Sequence, residues 1–229
     1  MEKFPCGTST TSLTSAKQGE IVTFGTYPHS ANGTDKTPIQ WRVLQNAGDE
    51  LFLLSEYIID CKRYHNKAVD TSWGDCDMRK WLNSEMFRIA FTAAEQERIK
   101  TTLCTNNGED SPDTEDKVFL LSVVEVEEFT SPQDGDKRRR TIGTEYAKTK
   151  KADGCRLGIY DKSVEKDYII ENGKKQGCSW WWTRTQSQRQ IGNLARATFI
   201  GARSNIKRYG QVDLKFYGVR PAIKLDMSQ

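Results

Sequence analysis

Ile39-Gln40-Trp41-Arg42-Val43-Leu44 alternates apolar and polar side chains until its last position. That period of two is the pattern of a half-buried strand. Upstream, Ile21-Val22-Thr23-Phe24-Gly25-Thr26-Tyr27 reads as a second short strand, separated from the first by a loop rich in Pro, Gly and Asn over residues 28–38. Downstream, Asn46-Ala47-Gly48-Asp49 is a turn signal and Leu51-Phe52-Leu53-Leu54 a buried strand. The three runs predict a β-hairpin or meander.

Past Tyr57 the period changes. Met78, Trp81 and Leu82 fall at i, i+3 and i+4, which predicts a helix over 75–82. Asn83-Ser84 reads as an interruption, after which Phe87 and Phe91 continue the apolar face. Thr92-Ala93-Ala94-Glu95 is a capping box that starts a second helix running to about Lys100. Lys117-Val118-Phe119-Leu120-Leu121-Ser122 reads as a buried strand, residues 125–129 as a helical turn and 144–152 as a helix. Trp180-Trp181-Trp182-Thr183, Ala197-Thr198-Phe199-Ile200 and Val219-Arg220-Pro221-Ala222-Ile223-Lys224-Leu225 are strand candidates, with Pro221 marking an edge or a strand end. No internal repeat or linker divides the chain. Residues 1–18 read as a flexible, Ser/Thr-rich tail and 19–229 as one α+β domain of small sheets, packed helices and long loops.

Composition removes several function classes. The 229 residues carry a net charge of +3, and no apolar run approaches the ~18–20 residues of a membrane span. Residues 1–20 lack the basic and apolar regions of a signal peptide, so the chain is expected to be cytoplasmic unless an export signal was removed. There is no G-x-S-x-G, no G-x-x-x-x-G-K-[ST] and no G-x-G-x-x-G, which disfavours elbow hydrolases, P-loop NTPases and Rossmann dehydrogenases. His29 and His65 lie in polar loops and read as solvated side chains. Cys6, Cys61, Cys76, Cys104, Cys155 and Cys178 are dispersed, without zinc-ligand spacing, and read as buried free thiols. The acidic residues of 107–116 are not spaced as an EF-hand and read as a solvated loop, and Lys137-Arg138-Arg139-Arg140 reads as a solvated basic run. No catalytic residue, metal ligand or cofactor is expected.

The charge is unevenly placed. Residues 180–229 hold nine basic and two acidic side chains, a net of +7, whereas residues 1–179 hold 25 and 29, a net of −4. Within that basic segment Arg184, Gln186, Gln188, Arg189, Asn193, Arg196, Arg203, Asn205, Lys207, Arg208 and Tyr209 are the candidate ligand-binding residues, interleaved with Phe199, Phe216 and Tyr217. Planar Arg forks and rigid Tyr faces are enriched in recognition surfaces. The partner expected of them is a protein or another ligand carrying acidic groups. Trp180 and Trp182 share one face of their strand and Trp181 takes the other.

Several motifs in order resemble a bacterial domain family of unknown function: Ile39 to Leu44, Leu53-Leu54-Ser55, Thr71-Ser72-Trp73, Met78-Arg79-Lys80-Trp81-Leu82-Asn83, Asp116 to Ser122 with Glu125, Trp181-Trp182-Thr183-Arg184 and Gly218-Val219-Arg220-Pro221-Ala222. That family is related to the C-type-lectin-like fold of formylglycine-generating enzymes and of variable proteins of diversity-generating retroelements. The resemblance implies a lectin-like α+β fold in which the N- and C-terminal strands pair, two helices pack alongside and the late loops face a ligand. It further implies a non-enzymatic ligand-binding domain, a retroelement-diversified variable protein whose binding residues lie in 184–217. Two alternatives accompany it: an oxidase of the formylglycine-generating type, which needs a copper-binding thiolate pair, for which Cys155 and Cys178 are the late cysteines, and a polyanion or nucleic-acid binder acting through the +7 segment.

Overall fold

A computed structural model describes residues 12–109, 111–130, 139–187 and 196–228. In chain order the strands are β1 (Ile21–Tyr27), β2 (Thr37–Asn46), β3 (Glu50–Ser55), β4 (Asp60–Cys61), β5 (Thr102–Cys104), β6 (Thr114–Asp116), β7 (Tyr168–Glu171), β8 (Lys174–Gly177), β9 (Trp181–Gln186), β10 (Arg196–Ile200), β11 (Ile206–Gln211), β12 (Gly218–Val219) and β13 (Ala222–Asp226). The α-helices are α1 (Asp77–Trp81), α2 (Phe87–Ala90), α3 (Ala93–Arg98), α4 (Val123–Phe129) and α5 (Glu145–Lys148). The result is a mixed α+β architecture of small, mainly antiparallel sheets with short helices.

The meander forms as its periodicity requires. The β1, β2 and β3 strands pair antiparallel, and β13 completes the sheet on β3 with Ile223 opposite Leu53 and Leu225 opposite Leu51. The C-terminal strand therefore does not pair with the N-terminal strand, as the resemblance implied. It joins the free edge of the third strand, whose two faces are both buried. A second sheet has the order β11-β10-β9-β12-β4, with β12 parallel to β9. Arg220 and Pro221 join β12 to β13, so the predicted continuous strand over 219–225 is two strands in two sheets. Proline cannot donate to a ladder, which makes it a natural residue for that change of sheet. Arg220 is buried at the joint, donating to the carbonyls of Ser55 and Glu56 with its guanidinium 5.1 Å from the Trp181 ring, and burial pushes its pKa down to about 9.

The helical segment differs from its sequence reading in an informative way. Asn83-Ser84 does not interrupt it; Leu82–Met86 forms a π-helical turn between α1 and α2. The Asn83 amide explains the wide turn. It donates to the carbonyls of Arg79 and Val118 (3.1 and 2.9 Å) and accepts from the backbone N–H groups of Lys117 and Val118 (2.8 and 3.1 Å). Those bonds hold 117–118 against the helix, and residues 118–121 are buried without forming the predicted strand; only Phe119 makes a β-bridge, to Ala222. Both α3 and α4 begin with complete capping boxes, Thr92 with Glu95 and Ser122 with Glu125. The α5 helix is shorter than predicted, ending before Thr149.

Two further readings are corrected by burial. Asp116 is not a solvated loop residue: it is buried and accepts from Trp73 Nε1 (3.0 Å), Arg79 Nε (2.7 Å) and Thr114 Oγ1 (2.7 Å). Of the basic run, Lys137 and Arg138 lie outside the described residues, and Arg139 is buried, donating to Thr130 Oγ1 and to the Val126 carbonyl at the end of α4. Cationic side chains at helix C-termini satisfy carbonyls left without amide partners. Cys61, Cys76, Cys104, Cys155 and Cys178 are buried free thiols, as read; Cys6 lies outside the described residues.

The β7–β8 hairpin has a two-residue turn, Asn172-Gly173, with φ of 49° and 72° at the two positions. Asn-Gly is the strongest sequence signal for such a turn.

Candidate functional site

The basic C-terminal segment divides into side chains held by the scaffold and side chains that are presented. Arg184 belongs to the first group. It is 1 % exposed and binds both carboxylate oxygens of Glu125 (2.5 and 2.9 Å), Asn107 Oδ1 (2.8 Å) and the carbonyls of Leu120 and Thr105. Every donor direction of its fork is used inside the fold, so its place among ligand-facing residues is corrected: it ties β9 to α4 and to the segment after β5. Arg203 is exposed but paired with Asp167 through two bonds (2.5 and 2.9 Å), and this contact holds the Asp167 carboxyl below its ordinary range. Lys224 pairs with Glu50 at 2.8 Å. Gln186 is half-buried and donates to Asp70 Oδ1 at 3.2 Å. Gln188, Arg189 and Asn193 lie outside the described residues.

What remains of the +7 is local. Among the described residues of 180–229, Arg196, Lys207, Arg208 and Lys215 have no carboxylate partner. Three of them sit on the β10–β11 hairpin, with Asn205 exposed in its turn. Ala197 pairs with Gly210 and Phe199 with Lys207, so two residues, Arg208 and Tyr209, stand opposite Thr198. This β-bulge lifts an exposed Arg208 and a half-exposed Tyr209 from the edge strand. Arg196 Nη1 donates to the Tyr209 carbonyl, and Ser187 Oγ to that of Arg208, which fixes the bulge from β10 and from the end of β9. Lys207 Nζ lies 5.9 Å from the Tyr209 ring centre.

An aromatic strip runs from this bulge across the sheet. Tyr209 meets Phe199 at 5.6 Å, Phe199 meets Tyr217 at 4.6 Å, Tyr217 meets Phe216 at 4.7 Å, Phe216 meets Trp180 at 5.8 Å and Trp180 meets Tyr160 at 4.6 Å. Phe199 and Tyr217 are its buried floor; Tyr209, Phe216, Trp180 and Tyr160 are half-buried or exposed. Burial pushes the Tyr217 hydroxyl up to about 12, with Tyr209 and Tyr160 adding to the effect. Gly210 is required beneath the strip, since a Cβ there would lie 2.6 Å from the Trp182 ring and 2.9 Å from the Ala197 carbonyl. The Trp180 and Trp182 rings both contact Tyr217, as one face of β9 demands, while Trp181 is buried on the other and donates to the Arg139 carbonyl.

The sequence pattern points to Phe199, Tyr209, Phe216 and Tyr217 but not to Tyr160. Tyr160 lies in a segment without regular structure, where periodicity carries no signal.

Cys155 and Cys178 are buried, and burial raises both thiols, Cys155 to about 11. Among the described residues no three His, Cys, Asp or Glu side chains converge as a metal-ligand group, and no helix is long and apolar enough to cross a membrane.

A model of a domain of unknown function, DUF6273, matches residues 48–227. No curated protein and no solved structure matches the chain.

Proposed function

The chain belongs to the DUF6273 family, and for this member we propose a non-enzymatic recognition domain that binds an acidic polypeptide on its C-terminal face. The observation that carries this reading is the strip Tyr160–Trp180–Phe216–Tyr217–Phe199–Tyr209, with Lys207, Arg208 and Arg196 at its bulged end, three cations without carboxylate partners among the described residues. Aromatic anchors beside unpaired cations combine apolar burial with charge complementarity, the mixture found at binding hot spots. The C-type-lectin-like fold is part of the same proposal. Support for it comes from the gathering of the late strands β9 to β12 into one sheet. Diversification by a retroelement rests on motif order alone.

A polyanion reading is favoured by the same three cations. The two are separated by the aromatic contribution. Selection of displayed peptides on the full chain should enrich Asp/Glu-containing sequences. The Tyr209→Ala and Lys207→Ala/Arg208→Ala variants should each weaken the selected peptide at least tenfold with unchanged melting temperature. Oligonucleotide binding as tight as the peptide, with a steep salt slope and no effect of Tyr209→Ala, would favour the polyanion; no effect of any variant on peptide binding rejects the face.

A further inference from the structure

The molecule has a second concavity on elements that the C-terminal face does not use. It is a cleft of about 240 Å³ where the residues flanking the loop before β2, the segment after β3, the start of α5 and the tip of the β7–β8 hairpin meet. Drug-sized ligands fill pockets of roughly 300–1,000 Å³, so this one suits a single small ring.

Its lining has a definite chemistry. Gln40, Asn172 and Gln176 line it, and among the described residues their side-chain amides have no hydrogen-bonding partner, although Gln40 and Gln176 are half-buried. Each presents both a donor and an acceptor that no protein group occupies, so a ligand in the cleft can bond them in place of solvent. Tyr57 adds a hydroxyl, while the Thr144 hydroxyl is held in the fold, accepting from the Ala147 amide and donating to the Ile59 carbonyl. The Tyr57 hydroxyl donates to Glu171 Oε1 at 2.5 Å and so fixes that carboxylate on the wall.

The charge balance selects further. Glu145 and Glu171 face a single ammonium, Lys148, which already pairs with Glu145 at 2.8 Å. His29 also lines the cleft, and burial lowers its pKa, so it adds no charge at neutral pH. An anion entering would meet an excess of negative charge in a partly desolvated space. The preference is thus opposite to that of the basic C-terminal face.

We propose that this cleft is a binding site for a hydroxyl- and amine- or amide-bearing molecule of one ring, of neutral or positive charge, in the class of an amino sugar. The hairpin tip closes one wall, and its position depends on the tight Asn172-Gly173 turn. The site stands independently of the proposed peptide face.

Titrating the full chain with glucosamine, N-acetylglucosamine and glucuronate, followed by amide chemical shifts, tests it. Saturable binding of either amino sugar, with glucuronate at least tenfold weaker and shifts confined to Gln40, Tyr57, Thr144 and the hairpin tip, supports the site. Absence of binding by both amino sugars, or glucuronate binding as tightly, overturns it. Gln40→Leu/Gln176→Leu should weaken the amino sugar at least tenfold while Tyr209→Ala leaves it unchanged; the reverse overturns it. Should the double variant fail to fold, Glu171→Gln serves instead. It keeps an acceptor for Tyr57 and removes a charge, so the discrimination against glucuronate should narrow at least threefold, and unchanged discrimination overturns the assignment.

Discussion

Arg184 binds both carboxylate oxygens of Glu125 from a position that is 1 % exposed, linking β9 to the first turn of α4. Glu125 is also the third residue of that helix's capping box, accepting from the Ser122 amide. One carboxylate thus joins a helix start to the central strand of the second sheet. Removing one member of a buried pair strands the other, at a cost of about 3–5 kcal/mol. We expect Arg184→Ala to lose stability of that order in guanidinium unfolding. Glu125→Ala should lose a comparable amount, and the double variant less than the sum. An Arg184→Ala chain as stable as wild type would contradict this account.

Asn83 predicts a local effect. Asn83→Ala leaves the amides of Lys117 and Val118 and the Val118 carbonyl without their partner, a loss of about 1–3 kcal/mol. Asn83→Asp should cost more at neutral pH, because its carboxylate would sit where the amide now donates to Asp116 Oδ1 at 3.2 Å. Hydrogen exchange at residues 117 and 118 reads both variants, and the difference between them should shrink on acidification.

Gly210 should tolerate no side chain. The contacts with the Trp182 ring and the Ala197 carbonyl at 2.6 and 2.9 Å leave a methyl group nowhere to go without moving backbone. Gly210→Val is expected to cost about 1–3 kcal/mol and to change the near-ultraviolet circular dichroism of the stacked aromatics. Wild-type stability and spectrum would mean that the bulge is free to shift.

Alkaline pH should unfold the chain through its thiols. Burial raises Cys76 and Cys104 to about 12 and Cys155 to about 11, above their ordinary value of 9.0. Below that ordinary value both states hold the protons and the contribution is fully present. Above it the unfolded chain releases protons that the folded chain retains, so stability falls as pH rises from about 9 towards 11–12. Denaturant midpoints measured from about pH 8 to about pH 10 should decline, and Cys155→Ser should flatten part of the decline.

Local features were readable in advance because their causes are local. The capping boxes Thr92–Glu95 and Ser122–Glu125 each lie within four residues, and both form. Alternation placed β2, and apolar, aromatic and β-branched runs placed β1, β3, β9 and β10, for the same reason. The Asn172-Gly173 turn of the β7–β8 hairpin is equally local. The buried run 118–121 misled because apolar continuity reports burial, not hydrogen bonding, and a helix-borne amide took the backbone partners that a neighbouring strand would have used.

By itself the sequence determined the meander, the helix starts, the aromatic content of the late strands and the segregation of positive charge into the last fifty residues. Only the tertiary structure decided which of those charges are presented. Arg184 finds Glu125 across 59 positions and Arg203 finds Asp167 across 36, and no period or motif encodes such partners. Coulomb attraction depends on distance in space, and the sheets set that distance. They leave Lys207, Arg208 and Tyr209 at an edge bulge where no acidic side chain of the described scaffold reaches them.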